Sequence, residues 1–329
     1  MVSTAQNTAF MFPGQGSQAV GMGRDLAENF SVARQVFQEI DDALSQKLSH
    51  IMWEGPIETL TLTENAQPAL MAVSLAAMRV IEQESGKKLA QLAKFVAGHS
   101  LGEYSALAAS GALPIAETAR LLKLRGQAMQ QAVATGLGGM AALFPTEQDI
   151  AEKIAAEATA KANNDHPSLK NQAVCSIAND NGGGQFVLSG HAVAIDIAVA
   201  LAEKAGIKRA VKLTVSAPFH CALMAPAAQV MASALAASPM VAPQAILVAN
   251  VTAQPEKDPS KIRALLVEQV TARVRWRESM AYLAAQNIEN LVEIGAGKVL
   301  AGLVKKLGPN ITASSVGSKA DIDNFLKSL

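Results

Sequence analysis

Several things are scarce in this chain, and each scarcity closes off a class of protein. Only two cysteines occur, Cys175 and Cys221. They are too few for a disulfide framework and lack the spacing of metal ligands, so neither a stapled extracellular scaffold nor a cysteine-based metal centre is expected, and a reducing cytoplasm fits best. Net charge is absent as well, with 28 basic against 28 acidic side chains. A balanced surface offers no general attraction to nucleic acid or to an anionic membrane, so a charged partner would have to meet a local patch. Every long apolar stretch is broken by polar residues before it reaches membrane-spanning length. The opening "MVSTAQNTAFMFPGQG" has no basic segment leading into an apolar one, so neither a membrane span nor a secretory signal is expected.

What is present is apolar mass. Half of the 329 residues are hydrophobic and 17% are charged, enough for a large core and inconsistent with disorder. Short apolar runs alternate with longer Ala- and Leu-rich segments of helical period, the pattern of an α/β fold with a mainly parallel sheet. The expected strands are "TAFMF", "KFVAG", "AVCSIAND", "FVLSG", "RAVKLTV", "AILVAN" and "NLVEIG". One interruption stands out. "GLGGMAALFP", from Gly136 to Pro145, breaks a helix with glycines and starts a new β-like run, followed by a helix, a polar loop and a strand-rich stretch to about Leu213. Residues 136–213 are therefore expected to form a small inserted α+β subdomain, with 1–135 and 214–329 forming a catalytic subdomain around it.

Chemistry concentrates in four short stretches. "FVAGHSLGEY" contains Gly98-His99-Ser100-Leu101-Gly102, a G-x-S-x-G elbow between an expected strand and an expected helix. The glycines permit a sharp turn that leaves the serine hydroxyl exposed, and the Leu101 N–H at the helix start can face a developing oxyanion. Ser100 needs a base, and of the five histidines His220 in "VKLTVSAPFHCALM" is the best placed, where a strand runs into a loop at the same sheet edge. His99 adjoins the nucleophile and should point away from it, and Cys221 reads as packing. Third, Arg125 lies on the apolar stripe formed by Leu121, Leu122, Ala128, Met129 and Ala132, whereas Lys123 points off the stripe and should be solvated. A buried guanidinium demands an anion, either a structural Asp or Glu or an anionic substrate. Fourth, "FMFPGQGSQAVGMG" satisfies G-x-G-x-x-A at Gly14, Gly16 and Ala19, but helical sequence follows where a dinucleotide site needs a second strand. That loop more naturally brings Gln15 and its backbone N–H to the strand end.

"FPGQGSQ", "GHSLGEYSAL", the arginine of "LLKLRGQAM", "SAPFHCALM" and "EIGAGKVLAGL", in this order, resemble the bacterial malonyl-CoA:acyl carrier protein transacylases and the acyltransferase domains of fatty acid and polyketide synthases. The resemblance runs from about Phe10 to Leu303. It implies an α/β-hydrolase-like large subdomain with an inserted ferredoxin-like small one. It further implies Ser100 as nucleophile, His220 as base and acid, and Gln269 as the residue whose backbone carbonyl orients that histidine. Gln15 and Leu101 would supply the oxyanion hole, Arg125 would hold the malonyl carboxylate, and Phe219, Asn179 and Asn181 would line the substrate cleft. Malonyl-CoA and acyl carrier protein would be the partners of a monomer needing no cofactor or metal. Leu101 and Phe219 accompany malonyl selection in related domains. Two departures occur, a long "NNDHPSLKNQ" loop and Ala296 where proline is common. A serine hydrolase completed by Asp165 or Asp180, or a polyketide-pathway acyltransferase, remain as alternatives. Lys204, Lys208, Arg209 and Lys212, or Arg273, Arg275 and Arg277, are candidate patches for an acidic carrier protein.

Overall fold

The computed structural model describes residues 5–169, 171–215, 217–305 and 311–329. Among the described residues ten strands form two sheets: β1 (Thr8–Phe12), β2 (Phe95–Gly98), β3 (Gly138–Phe144), β4 (Cys175–Asp180), β5 (Phe186–His191), β6 (Arg209–Lys212), β7 (Ile246–Val248), β8 (Pro255–Glu256), β9 (Asn290–Ile294) and β10 (Thr312–Val316).

The larger sheet has the order β10-β9-β1-β2-β7-β8. All its neighbours are parallel except β7 with β8. The central strands are apolar on both sides because both faces are covered, as parallel sheets require. Phe10, Phe12 and Val96 pack in one core with the helices Ser31–Leu44, Thr63–Ser85 and Ile115–Gln131. Ala9, Met11, Phe95 and Ala97 alternate onto the other face, in a second core with Trp276, Met280 and Leu300. This three-layer unit is the α/β-hydrolase-like part of the fold.

The smaller sheet has the order β4-β5-β3-β6, with antiparallel pairing throughout. With its two helices, Gln148–Asp165 and Ala192–Lys204, it reads β-α-β-β-α-β and is ferredoxin-like. One sheet face, carrying Ala141, Leu143, Ile177 and Leu188, meets Ala151, Ala155, Ala158, Ala194 and Ala198 of the helices. Small side chains at these positions let the helices lie close to the strands. Met140, Ala178 and Val187, on the opposite face, belong to the core of the large unit. A polar clasp reinforces that contact: Arg277 Nε donates to Asp180 Oδ2 at 2.8 Å, and Val274 exchanges backbone bonds with Ala178 and Asp180.

Two strands escaped the sequence reading and one was overextended. β10, "TASSV", is polar because it is a half-exposed sheet edge, and β8 is only two residues long. The expected strand "RAVKLTV" stops at Lys212, and Leu213, Thr214 and Val215 run on as cavity wall. Lys123 is not solvated as expected. Its ammonium donates to Gln46 Oε1 at 2.9 Å and Asn65 Oδ1 at 3.1 Å and pairs with Glu64 at 3.3 Å, because the helix Thr63–Ser85 packs against its own.

Candidate active site

The carboxyl ends of β1 and β2 lie side by side, with Phe12 opposite Gly98, and such strand ends are where open α/β sheets bind ligands. Beyond β2 the chain reverses so tightly that only glycine fits at two positions. A Cβ at Gly98 would collide with the backbone of Gly102, and one at Gly102 would collide with the Phe12 carbonyl. At the apex Ser100 takes a left-handed conformation, φ 54°. Non-glycine residues adopt this region at a cost and need outside support. Asn250 supplies it: its Oδ1 accepts from Ser100 N at 2.8 Å while its Nδ2 donates to Gly98 O at 2.7 Å.

His220 also sits at positive φ, 59°, at the end of the segment that follows the cavity wall. Its Nε2 is 2.7 Å from Ser100 Oγ, and its Nδ1 is 2.8 Å from the main-chain oxygen of Gln269. A carbonyl oxygen can only accept, so the hydrogen resides on Nδ1 and the Nε2 lone pair faces the serine hydroxyl. Burial, seconded by the positive charge of Arg125, pushes this imidazole down to about 3. The residue is thus held neutral, in the form that can take a proton.

Arg125 is 1% exposed. Its Nη1 donates to Gln67 Oε1 at 2.8 Å, and its Nη2 donates both to Gln269 Oε1 at 2.8 Å and to Ser100 Oγ at 3.1 Å. The guanidinium also lies over the Tyr104 ring, 5.6 Å from its centroid. Among the described residues no carboxylate forms an ion pair with it, and its Nε has no hydrogen-bond partner. Of the two anions the sequence left open, the structural one is missing. Neutral amides hold the cation in place while leaving its charge uncompensated by direct contact.

These groups open on a cavity of about 280 Å³, lined by Gln15, Ser100, Leu101, Arg125, Phe219 and His220, with Met140, Asn179 and Leu213 closing the side toward the small unit. Neither the Gln15 nor the Leu101 N–H has an acceptor among the described residues. Asn179 keeps a buried side-chain oxygen without a partner. Asn181 stands one residue behind the cavity wall: its Oδ1 is 2.9 Å from Nε2 of His99, which lines the cavity. His99 itself stacks near Trp276 and takes no part in the serine's hydrogen bonding. Cys221 is buried, its Sγ 3.1 Å from Pro218 O, and burial pushes its thiol up.

Neither aspartate of the hydrolase alternative reaches His220. Asp180 receives Arg277, and Asp165 pairs with Lys161 on the rim of a helix of the small unit. The G-x-G-x-x-A loop is followed by helices Arg24–Asn29 and Ser31–Leu44 rather than a strand, so no dinucleotide fold is built on it. No group of three or more His, Cys, Asp or Glu suited to a metal ion occurs among the described residues. Four residues went unnoticed in the sequence: Asn250, Gln67, Tyr104 and Glu103. Glu103 is 1% exposed, and its Oε2 accepts from Gln269 Nε2 at 2.6 Å and from Asn250 N at 3.3 Å. Burial pushes its carboxyl up to about 7, with the Gln269 hydrogen bond opposing. Tyr104 and Glu103 stood inside the quoted elbow stretch, but nothing in their spacing marks them as buried beside an arginine.

A neutral histidine poised on a serine at a strand-to-helix elbow, with unpaired backbone donors beside it, defines the class: a serine-nucleophile enzyme that works on acyl groups. Residues 9–326 match the model of the acyl transferase domain family, and the chain belongs to that family. It is 42% identical over 97% of its length to the malonyl CoA-acyl carrier protein transacylase of Salmonella typhimurium, covering 98% of that protein. It is 39% identical to the Bacillus subtilis protein of the same name, covering 98% of this chain and 96% of the relative. Among solved structures, an acyl-carrier-protein-S-malonyltransferase from Bartonella henselae superposes with a TM-score of 0.92 at 52% identity, covering 98% of both chains. A malonyl-transacylase in complex with its type II polyketide acyl carrier protein superposes at 0.91 and 38% identity, covering 98% of this chain and all of that one.

Proposed function

We propose that this protein moves the malonyl group from malonyl-CoA to the phosphopantetheine thiol of acyl carrier protein through a malonyl-Ser100 ester, in the service of fatty acid synthesis. The observation that carries the substrate choice is Arg125, a buried cation without a carboxylate, 3.1 Å from the nucleophilic oxygen. In a malonyl thioester the carboxylate carbon and the reacting carbonyl carbon are separated by one methylene, about 2.5 Å apart given ordinary carbon–carbon bonds. An acyl group that short can meet a guanidinium and a hydroxyl that are themselves in contact.

His220 Nε2 takes the hydroxyl proton as Ser100 Oγ attacks the thioester carbon, and the carbonyl oxygen becomes an oxyanion facing the Leu101 and Gln15 N–H groups. The tetrahedral species collapses, the C–S bond breaks, and the CoA thiolate leaves with the proton from His220. The carrier's thiol then enters the same space. His220 removes its proton, the thiolate attacks the ester carbon, and Ser100 departs with the proton returned to Oγ. Phe219 and Asn179 flank the acyl group, and Gln269 holds the imidazole through its carbonyl.

The division of labour follows the two sheets: 1–135 and 214–329 carry the chemistry, and 136–213 supplies one wall and a docking face. Lys204, Lys208 and Arg209 are exposed on that small unit, while Lys212 of the same patch pairs with Asp196 at 2.6 Å, and Arg273, Arg275 and Arg277 are all paired, with Glu152, Glu278 and Asp180. The first group is the better match for an acidic carrier. No helix among the described residues is long and apolar enough to cross a membrane. A cytoplasmic monomer working without cofactor completes the reading.

Intact mass spectrometry after brief mixing with malonyl-CoA tests it. One malonyl adduct, absent in Ser100→Ala and chased onto added carrier protein, is the expected result. Steady release of free malonate without transfer would make the protein a hydrolase instead.

A further inference from the structure

The oxygen of the Gln269 side chain faces Arg125 and its nitrogen faces Glu103, and this orientation has an alternative that nothing in Gln269 itself forbids. Turned by half a revolution, the amide would set NH₂ against the guanidinium and oxygen against the carboxyl, donor against donor and acceptor against acceptor. Three acceptors surround the nitrogen as it stands: Glu103 Oε2 at 2.6 Å, Ser100 O at 3.0 Å and Asn250 Oδ1 at 3.5 Å. The shortest is Glu103, and Glu103 is also the costliest group to keep there, since a carboxyl buried to 1% exposure forgoes its hydration. Its place in the first turn of the helix Gly102–Ala109 and the Asn250 N–H offset part of that cost.

We infer that Glu103 is a positioning residue for Arg125: by anchoring the Gln269 amide it keeps an oxygen on the guanidinium and the guanidinium beside Ser100, tuning the enzyme for acyl groups that end in a carboxylate. The arrangement separates two tasks that a direct ion pair would merge. Were Glu103 to contact Arg125 itself, it would occupy donors an incoming carboxylate needs. Acting through one intervening amide, it leaves the edge of the guanidinium toward Ser100 free of a carboxylate. This deepens the malonyl-transfer reading and rests on it.

The test compares malonyl and acetyl loading of Ser100, by quenched-flow mass spectrometry, in the wild type, Glu103→Met and Glu103→Gln. Methionine keeps the bulk without the acceptor, and glutamine restores an acceptor without the charge. Expected is a fall of about tenfold in the malonyl-to-acetyl ratio for Glu103→Met, the size of one lost hydrogen bond to a charged group, with recovery to within about threefold in Glu103→Gln. A general packing defect would depress both acyl groups alike and leave the ratio where it was. A crystal structure of Glu103→Met is the second readout and needs no substrate. A turned Gln269 amide or a displaced Arg125 is expected, whereas both unmoved, with an unchanged ratio, would overturn the inference. Should the wild type load no malonyl group, the proposed function fails, and the crystal structure still decides the role of Glu103.

Discussion

Two arginines of this molecule are held in opposite ways. Arg277 reaches across the seam between the two sheets to Asp180, whose carboxylate is fully buried, and the pair clasps one unit to the other. Arg125 is far more deeply buried, yet two glutamine oxygens and a serine hydroxyl are its hydrogen-bond partners. A cation provided with its anion is a fastener. A buried cation provided only with neutral dipoles is kept for an anion that comes and goes, because amides fix its position without satisfying its charge.

The largest effect expected from this contrast is on Arg125→Ala. Malonyl loading of Ser100 should fall by about 10²-fold or more, the worth of two charge-assisted bonds, while acetyl loading falls much less. Equal losses would erase the distinction between the two arginines. Arg277→Ala should do the reverse, lowering the urea midpoint by an amount equivalent to about 1–3 kcal/mol as the Asp180 carboxylate loses a partner, with the malonyl-to-acetyl ratio unmoved.

A subtler contrast lies in pH. An ordinary histidine, titrating near 6.5, would lose roughly nine-tenths of its base form by about pH 5.5. His220 is pushed down to about 3 by burial and by Arg125, so its base form persists as pH falls, and acetyl loading of Ser100, which does not call on Arg125 or Glu103, should show no inflection near 6.5. An acetyl rate that drops tenfold between about pH 7 and pH 5.5 would mean that the imidazole is not sequestered from water. The smallest effect belongs to the exposed cations of the small unit. Lys208→Glu combined with Arg209→Glu should raise KM for carrier protein about threefold without changing the rate of loading from malonyl-CoA, as rim charges act on encounter.

The residues read from sequence share one property: each breaks a local pattern. Ser100 sits between glycines, Arg125 interrupts an apolar stripe, and His220 ends a strand in a Pro-containing loop. The supporting residues break nothing. Asn250 closes an ordinary apolar strand, Gln67 lies in a long helix beside Pro68, and Glu103 looks like any acidic residue in a first helical turn. Their roles arise from contacts 58 to 166 positions away, which periodicity cannot register. The same logic governs the strands: β1 and β2 are apolar because both faces are covered, and β10 was overlooked because an edge strand has no such requirement.

The histidine is steered by the main-chain oxygen of Gln269, and this has a genetic consequence. Every amino acid carries that oxygen, so no codon change at position 269 deletes the acceptor, and a side-chain scan there reports on the amide that faces Arg125 rather than on the carbonyl. A Ser-His-Asp site exposes three addresses to mutation, whereas here the partner of the base is written into the backbone. Selection can alter this contact only by moving the helix Pro259–Gln269 that presents it, which makes the packing of that helix, rather than any one functional group, the heritable determinant of how the imidazole points.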